Sequence, residues 1–143
     1  MNKAEILNLL NANPSFTLAT CELDQPRVRG MLLYKADERG IIFHMGNFKD
    51  MYKQIKNNPK AELCFFDSKT GTQVRVSGVL EESVDDALKE EIFTHPSRAF
   101  LKQMEQTAGY DLKKMTAVFI LKNAKAVVWS FATNAEPKTE IAL

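Results

Sequence analysis

Two arginines stand two positions apart in the stretch RVRGMLL, as Arg27 and Arg29, followed by Gly30, Met31 and Leu32. Residues i and i+2 of a strand share a face, so the two guanidiniums repel each other unless water or an anion separates them. Met31 and Leu33 continue that face as apolar positions. It therefore suits an amphipathic anion such as a nucleotide-like cofactor, with phosphate near the arginines and rings over the apolar end. It equally suits an edge strand that uses charge against aggregation. Gly30 weakens a strand unless a bulge or a close backbone approach requires it, and a flat ring or a neighbouring strand would each be such a reason.

A second anion feature lies in FHMGNFKDMYKQIKNNP, residues 43–59, where Met45 and Gly46 end an apolar strand and Asn47 is placed to cap a helix. Free N–H groups at a helix start, with Lys49 adding charge, hold phosphate readily. Asp50 in the first turn already complements the helix dipole, so an ordinary capped helix with Lys49 in solvent is the competing reading. In TGTQVRVSG, Gln73 and Arg75 share one strand face, and Gln73 can both donate to and accept from an imide-type ring edge. Solvent exposure on a two-faced strand is its alternative.

His44 and His95, the only histidines, have no cysteine or carboxylate at metal-ligand spacing, so no metal is expected. A Ser-His-Asp order, a nucleophile elbow, G-x-G-x-x-G and the P-loop are all missing, and no catalytic residue is assigned. Trp129 suits the core, or an interface between subunits.

The elements that must position these residues are mostly strands. FTLATCEL, RVRGMLLYKAD, GIIFHMG, KAELCFFD, TQVRVSGVLEE, TAVFILKN and KAVVWSFA are rich in β-branched and aromatic residues. Turn signals such as LDQP, DERG, SKTG and KNAK separate them. Short helices are expected at 3–11, capped by Asn2 with Glu5, and at about 48–57, with Phe48, Met51, Tyr52 and Ile55 on one face. Another begins at Ser83 with Asp86 completing the cap, and a shorter one covers 97–105. The reading is a mainly β (α+β) fold, a six- to seven-stranded antiparallel split β-barrel with small flanking helices, in a single domain spanning 1–143.

Length and charge narrow the function. The 143 residues carry 19 basic and 18 acidic side chains, a net +1, which supplies no general field toward nucleic acid or anionic membrane. Any anion site must be local. Cys21 and Cys64 lie apart in apolar strands and read as reduced core thiols. The N-terminal apolar run is too short and too polar for a signal peptide, and no stretch approaches spanning length, so the cytoplasm is the expected location.

Taken in order, RVRGM, GIIFHMGNFKDMYKQIKNNPKAELCFF and TQVRVSG resemble the pyridoxamine 5'-phosphate oxidase-like family of FMN-binding split barrels, over about residues 16–81. KDMYKQIKNNP is most similar to small bacterial members grouped with nitroimidazole-resistance and general stress proteins. The resemblance implies a homodimer with FMN at the subunit interface. It places Arg29 on the phosphate and ribityl chain, Gly30, Met31 and Leu32 along the ring, Met45 and Gly46 beside the phosphate, and Lys49 as a basic phosphate ligand. Gln73 would reach the cofactor, often from the second subunit. The implied activity is FMN-dependent reduction of a small organic acceptor, a nitro compound or quinone, with electrons from NAD(P)H. Met45 stands where many relatives have Thr or Ser, which implies weaker FMN binding. VVWSFATNAEPKTEIAL lacks an Arg-x-His signature, so vitamin B6 oxidation is not expected. The alternatives are a flavin-binding or sensing protein without turnover and a single-stranded nucleic-acid-binding barrel using Arg27, Arg29, Lys35 and Arg75. Deazaflavin or haem would be other ligands for such a barrel.

Overall fold

Strand β1 (Ser15–Glu22) turns Phe16, Leu18 and Thr20 inward and Thr17, Ala19 and Cys21 outward, the period-2 alternation of a half-buried strand. A two-residue turn joins it to β2 (Gln25–Asp37), and the register pairs Thr20 with Arg27 and Leu18 with Arg29. The computed structural model describes residues 1–143. Its further strands are β3 (Gly40–Gly46), β4 (Lys60–Asp67), β5 (Thr72–Glu82), β6 (Thr116–Trp129) and β7 (Ile141–Ala142). The order β3-β2-β1-β4-β5-β6 closes on itself through an antiparallel β3–β6 ladder, and β7 adds to the side of β6. The result is a closed six-stranded barrel plus one strand.

Phe16, Phe43, Phe65 and Phe119 meet inside it, with Phe16 stacked on Phe65 at 4.9 Å between centroids. Burying each such ring contributes roughly 1.5–3 kcal/mol, which makes this aromatic cluster the main apolar anchor of the sheet. Helix α1 (Lys3–Ala12), with the expected Asn2–Glu5 capping box, adds Ile6 and Leu10 to that core. Helix α2 (Asp50–Asn57) adds Met51 and Ile55. A second cluster forms outside the barrel, where α3 (Asp86–Thr94) and α4 (Ala99–Ala108) press Leu88, Ile92, Phe93 and Leu101 onto Ile42 of β3 and Val118 of β6.

The barrel is split. β2 pairs with β3 only from Leu33–Phe43 to Asp37–Gly40, after a bulge at Leu33/Lys35. Beyond that point β3 continues beside β6 while residues 25–32 of β2 continue beside β1 alone. Gly40 makes the tight end of this pairing possible: its φ is +124°, and a Cβ there would lie 2.7 Å from the Leu121 carbonyl.

Three expectations about elements change. KNAK is not a turn between two strands, because β6 runs through it, Asn123 absorbing the irregularity at φ 50° opposite a register shift in β5. Asp85, not Ser83, caps α3 through the Ala87 N–H. Phe48 precedes α2 and is exposed, and the residue that joins Met51 and Ile55 on the buried face is Gln54.

Leu23, at the β1–β2 turn, combines φ 57° with 96% exposure. A left-handed leucine is strained by roughly 1 kcal/mol, a cost asparagine largely avoids. Leu23→Asn is therefore expected to raise stability by about 0.5–1 kcal/mol, read as a higher urea midpoint at unchanged m-value.

Candidate functional site

At the end of the barrel where the β1–β2 hairpin turns, inward parity brings Thr20 and Glu22 of β1 against Arg27 and Arg29 of β2. Gln54 of α2 closes over them. Arg29 Nη1 donates to Thr20 Oγ1 at 2.8 Å and its Nη2 to Gln54 Oε1 at 2.5 Å. Gln54 Nε2 donates to Glu22 Oε2 at 2.9 Å, and Glu22 lies 3.7 Å from Arg27. Burial, and then the charge of Arg27, hold Arg29 below the usual arginine value. The Nε–H of Arg29 takes no part in these bonds. A guanidinium held through both terminal nitrogens with its Nε–H to spare is preorganised for an anion. Beside it, a cavity of about 630 Å³ opens between the hairpin and α2, lined by Glu22, Leu23, Asp50, Lys53, Gln54 and Asn57 among others.

The start of α2 supplies further donors. Lys49 occupies the N-cap position without a side-chain cap, is exposed and forms no ion pair. The N–H groups of Asp50 and Met51 have no backbone acceptor, as the first turn of a helix dictates. Asn47, expected to cap this helix, does not: its Nδ2 donates to Lys114 O and its N–H to Met115 O, fixing the β3 end to the loop before β6. Met45 is buried in the core, and the Phe48 ring packs over Gly46 so closely that a Cβ there would lie 2.6 Å from it.

The split leaves one edge of β2 unpaired between residues 25 and 32. The Leu33 N–H reaches Pro14 O beyond β1, and alternate residues of an antiparallel ladder turn their backbone groups to opposite sides. The N–H and C=O of Val28, Gly30 and Leu32 thus face the side without a strand. Met31 points inward against the core, while Gly30 is exposed and an added Cβ would meet nothing within 4 Å. A run of free main-chain donors and acceptors beside an anchored arginine can hold a planar heterocycle with an anionic tail.

Arg98, which sequence reasoning did not select, bridges the split. It is 3% exposed and has no carboxylate partner. Its Nη2 donates to Leu33 O of β2 at 2.6 Å and its Nε to His44 Nε2 of β3 at 2.9 Å, with the Tyr34 and Phe100 rings against it. Burial first, then the Arg98 charge, push His44 down to about 4. The available signal was HPSRAF, a helix-start sequence between two apolar stretches.

One expected residue lies elsewhere. Gln73 is on the outer face of β5, paired with Phe66 and Trp129, and with Arg75, Val127, Trp129 and Lys138 it lines a shallow concavity. A single chain does not unite it with Arg29. The four cations considered for nucleic acid likewise do not share a surface. Arg27 and Arg29 face inward, Lys35 is beside Asp37, and outward-facing Arg75 is beside Glu62 at 3.5 Å. Trp129, Cys21 and Cys64 are half-buried rather than core. No helix is long and apolar enough to cross a membrane.

Comparison with known proteins bears on the fold and the family. A pyridoxine/pyridoxamine 5'-phosphate oxidase of Psychrobacter is 38% identical over 80 residues, 55% of this chain and 37% of that protein. The chain thus spans well under half of that relative's length. Among solved structures, a NimC/NimA family protein of Clostridium acetobutylicum superposes with TM-score 0.77 at 25% identity, covering 98% of this chain and 92% of the other. A pyridoxamine 5'-phosphate oxidase-related FMN-binding protein of Nostoc punctiforme gives TM-score 0.60 at 14% identity, covering 99% and 96%. The family model described as "Pyridoxamine 5'-phosphate oxidase" matches residues 3–130, which contain all six barrel strands, so this chain belongs to that family.

Proposed function

We propose that this protein is a homodimeric FMN-binding oxidoreductase that passes electrons from NAD(P)H to a small organic acceptor of the nitro or quinone type. The observation that carries the reading is Arg29, anchored by Thr20 and Gln54 with its Nε–H free, at the foot of the unpaired β2 edge. The donor set fits a phosphate-bearing flavin. Arg29, Lys49 and the free N–H groups of Asp50 and Met51 suit the phosphate, and the main chain at Gly30 and Leu32 suits the polar rim of the ring. Bound there, FMN would supply the electron transfer, and the chain supplies position and electrostatics.

The dimer rests on two features of the outer face. Val28 is 68% exposed and Phe66 52%, with Leu32 also exposed and Thr17, Ala19 and Cys64 beside them across the neighbouring strands β2, β1 and β4. An apolar sheet face of that kind calls for cover. Gln73 lies on the same face, so a glutamine from a second copy, not from its own chain, would join Arg29.

Titration with FMN, against riboflavin as the control lacking phosphate, is expected to saturate at one FMN per subunit with riboflavin weaker. Sedimentation of the same sample should report a dimer. Equal affinity for the two flavins would remove the phosphate site, and a monomer that binds FMN fully would remove the interface. Steady-state NADH and NADPH oxidation with a nitroaromatic or quinone acceptor then separates an enzyme from a flavin carrier.

A further inference from the structure

Glu22 is the one carboxylate within the arginine cluster at the barrel end. Inward parity on β1 places it beside Thr20, it lies 3.7 Å from Arg27, and it accepts from Gln54 Nε2 at 2.9 Å. The opposite end of the same Gln54 amide accepts from Arg29 at 2.5 Å. One carboxylate therefore contacts the first guanidinium directly and the second through an amide relay. With Gln54 it also lines the 630 Å³ cavity, so these two side chains stand between that space and the arginines.

Two guanidiniums on adjacent inward positions of one strand repel each other, and a single negative charge halves their net charge. Gln54 is held at both ends, which fixes the amide with its oxygen toward Arg29 and its nitrogen toward Glu22. These contacts leave the Arg29 Nε–H free, so a phosphate that reaches it must either displace Glu22 from Arg27 or bind against its charge.

We propose that Glu22 is a built-in competitor for the anion site, a carboxylate that holds Arg27 and Gln54 in place of phosphate and sets how strongly the site prefers phosphorylated ligands. The inference rests on the assignment of this cluster to the phosphate. Arg27 and Glu22 are both half-exposed, so the effect is modest and screened by salt. Glu22→Gln keeps an oxygen to accept from Gln54 and removes only the charge.

The test measures FMN and riboflavin affinity of the wild type, Glu22→Gln, Arg27→Gln and the double variant. Alongside, it measures the rise in melting temperature with inorganic phosphate against chloride at matched ionic strength. Glu22→Gln is expected to bind FMN about fivefold tighter with riboflavin unchanged. It is also expected to gain more from inorganic phosphate than the wild type does. In the Arg27→Gln background the gain should shrink, because the pair it acts through is gone. Equal FMN tightening in both backgrounds, or none in either, would overturn the competitor role while leaving the flavin site intact. If no variant binds a flavin but inorganic phosphate still favours Glu22→Gln over wild type, the competitor role stands and the flavin reading fails. A melting temperature in chloride close to wild type establishes that each variant is folded.

Discussion

Between pH 6.5 and 4 the folded protein is expected to lose about 3 kcal/mol of stability through one imidazole, that of His44. Its ring sits on the outer side of β3 under the segment joining α3 to α4, and its Nε2 accepts from the Nε–H of Arg98. That bond requires a neutral ring. Protonation would replace the acceptor with a donor and set an imidazolium against a guanidinium that has no counter-ion. The sign follows from which state takes the proton first. Above pH 6.5 both folded and unfolded forms carry neutral His44 and the contribution is constant. As pH falls below 6.5 the unfolded chain binds a proton that the folded chain refuses until about pH 4, so stability drops across that window and levels off beneath it. Asp37, held low by Arg39 against its own burial, and Glu91, held low first by Tyr34 and then by Arg39, lose their contributions as pH falls from the ordinary carboxylate range toward their lower folded values. His44→Gln, which keeps an acceptor near the Nε2 position, should flatten the slope of urea stability between pH 6.5 and 4. An unchanged slope would mean that His44 is not the source of the pH dependence.

The same pair shows why part of the site was illegible in sequence. The strands were legible because their apolar residues recur at period two and their turns carry Gly, Pro, Asp and Asn at the right spacing, which outlines a barrel from β1 to β5. The KNAK segment misled because turn chemistry and a bulge use the same residues, and Asn123 takes the left-handed conformation inside a continuous strand. Arg29, Gly30 and Lys49 were legible as oddities within regular patterns. Gln54 left a weaker trace, a polar residue three after Met51 and one before Ile55 on a face otherwise apolar. Arg98 and Glu22 left almost none, because each acquires its role from a partner more than 50 residues away or from a helix laid across the barrel end. Periodicity reports which face is buried, not which polar groups meet there.

Arg29→Ala is expected to weaken FMN by about 1–3 kcal/mol, roughly 5- to 150-fold, while changing riboflavin far less. The range reflects two losses. One is the charge-assisted bond from the free Nε–H to the phosphate. The other is local, because Thr20 Oγ1, Leu18 O and Gln54 Oε1 all lose a donor, and Gln54 is then held only by Thr20 and Glu22. Arg29→Lys separates them, since an ammonium keeps the charge but cannot serve Thr20 and Gln54 at once as the guanidinium does. If position matters as much as charge, the lysine variant falls near alanine; if charge alone matters, it falls near wild type. Lys49→Ala isolates the distant cation, because Lys49 is exposed and unpaired and its removal disturbs no internal bond. Gln54 follows Lys49 by five residues, which separates Lys49 from the Gln54–Arg29 contact by about 7.5 Å along the helix axis. A phosphate between the two cations would feel both, and the FMN-to-riboflavin affinity ratio should fall in each variant and further in the double one. Were the ratio unchanged in both single variants with the fold intact, the phosphate would have to be sought elsewhere, and the outward concavity of Gln73, Arg75 and Lys138 is the next cationic surface to probe.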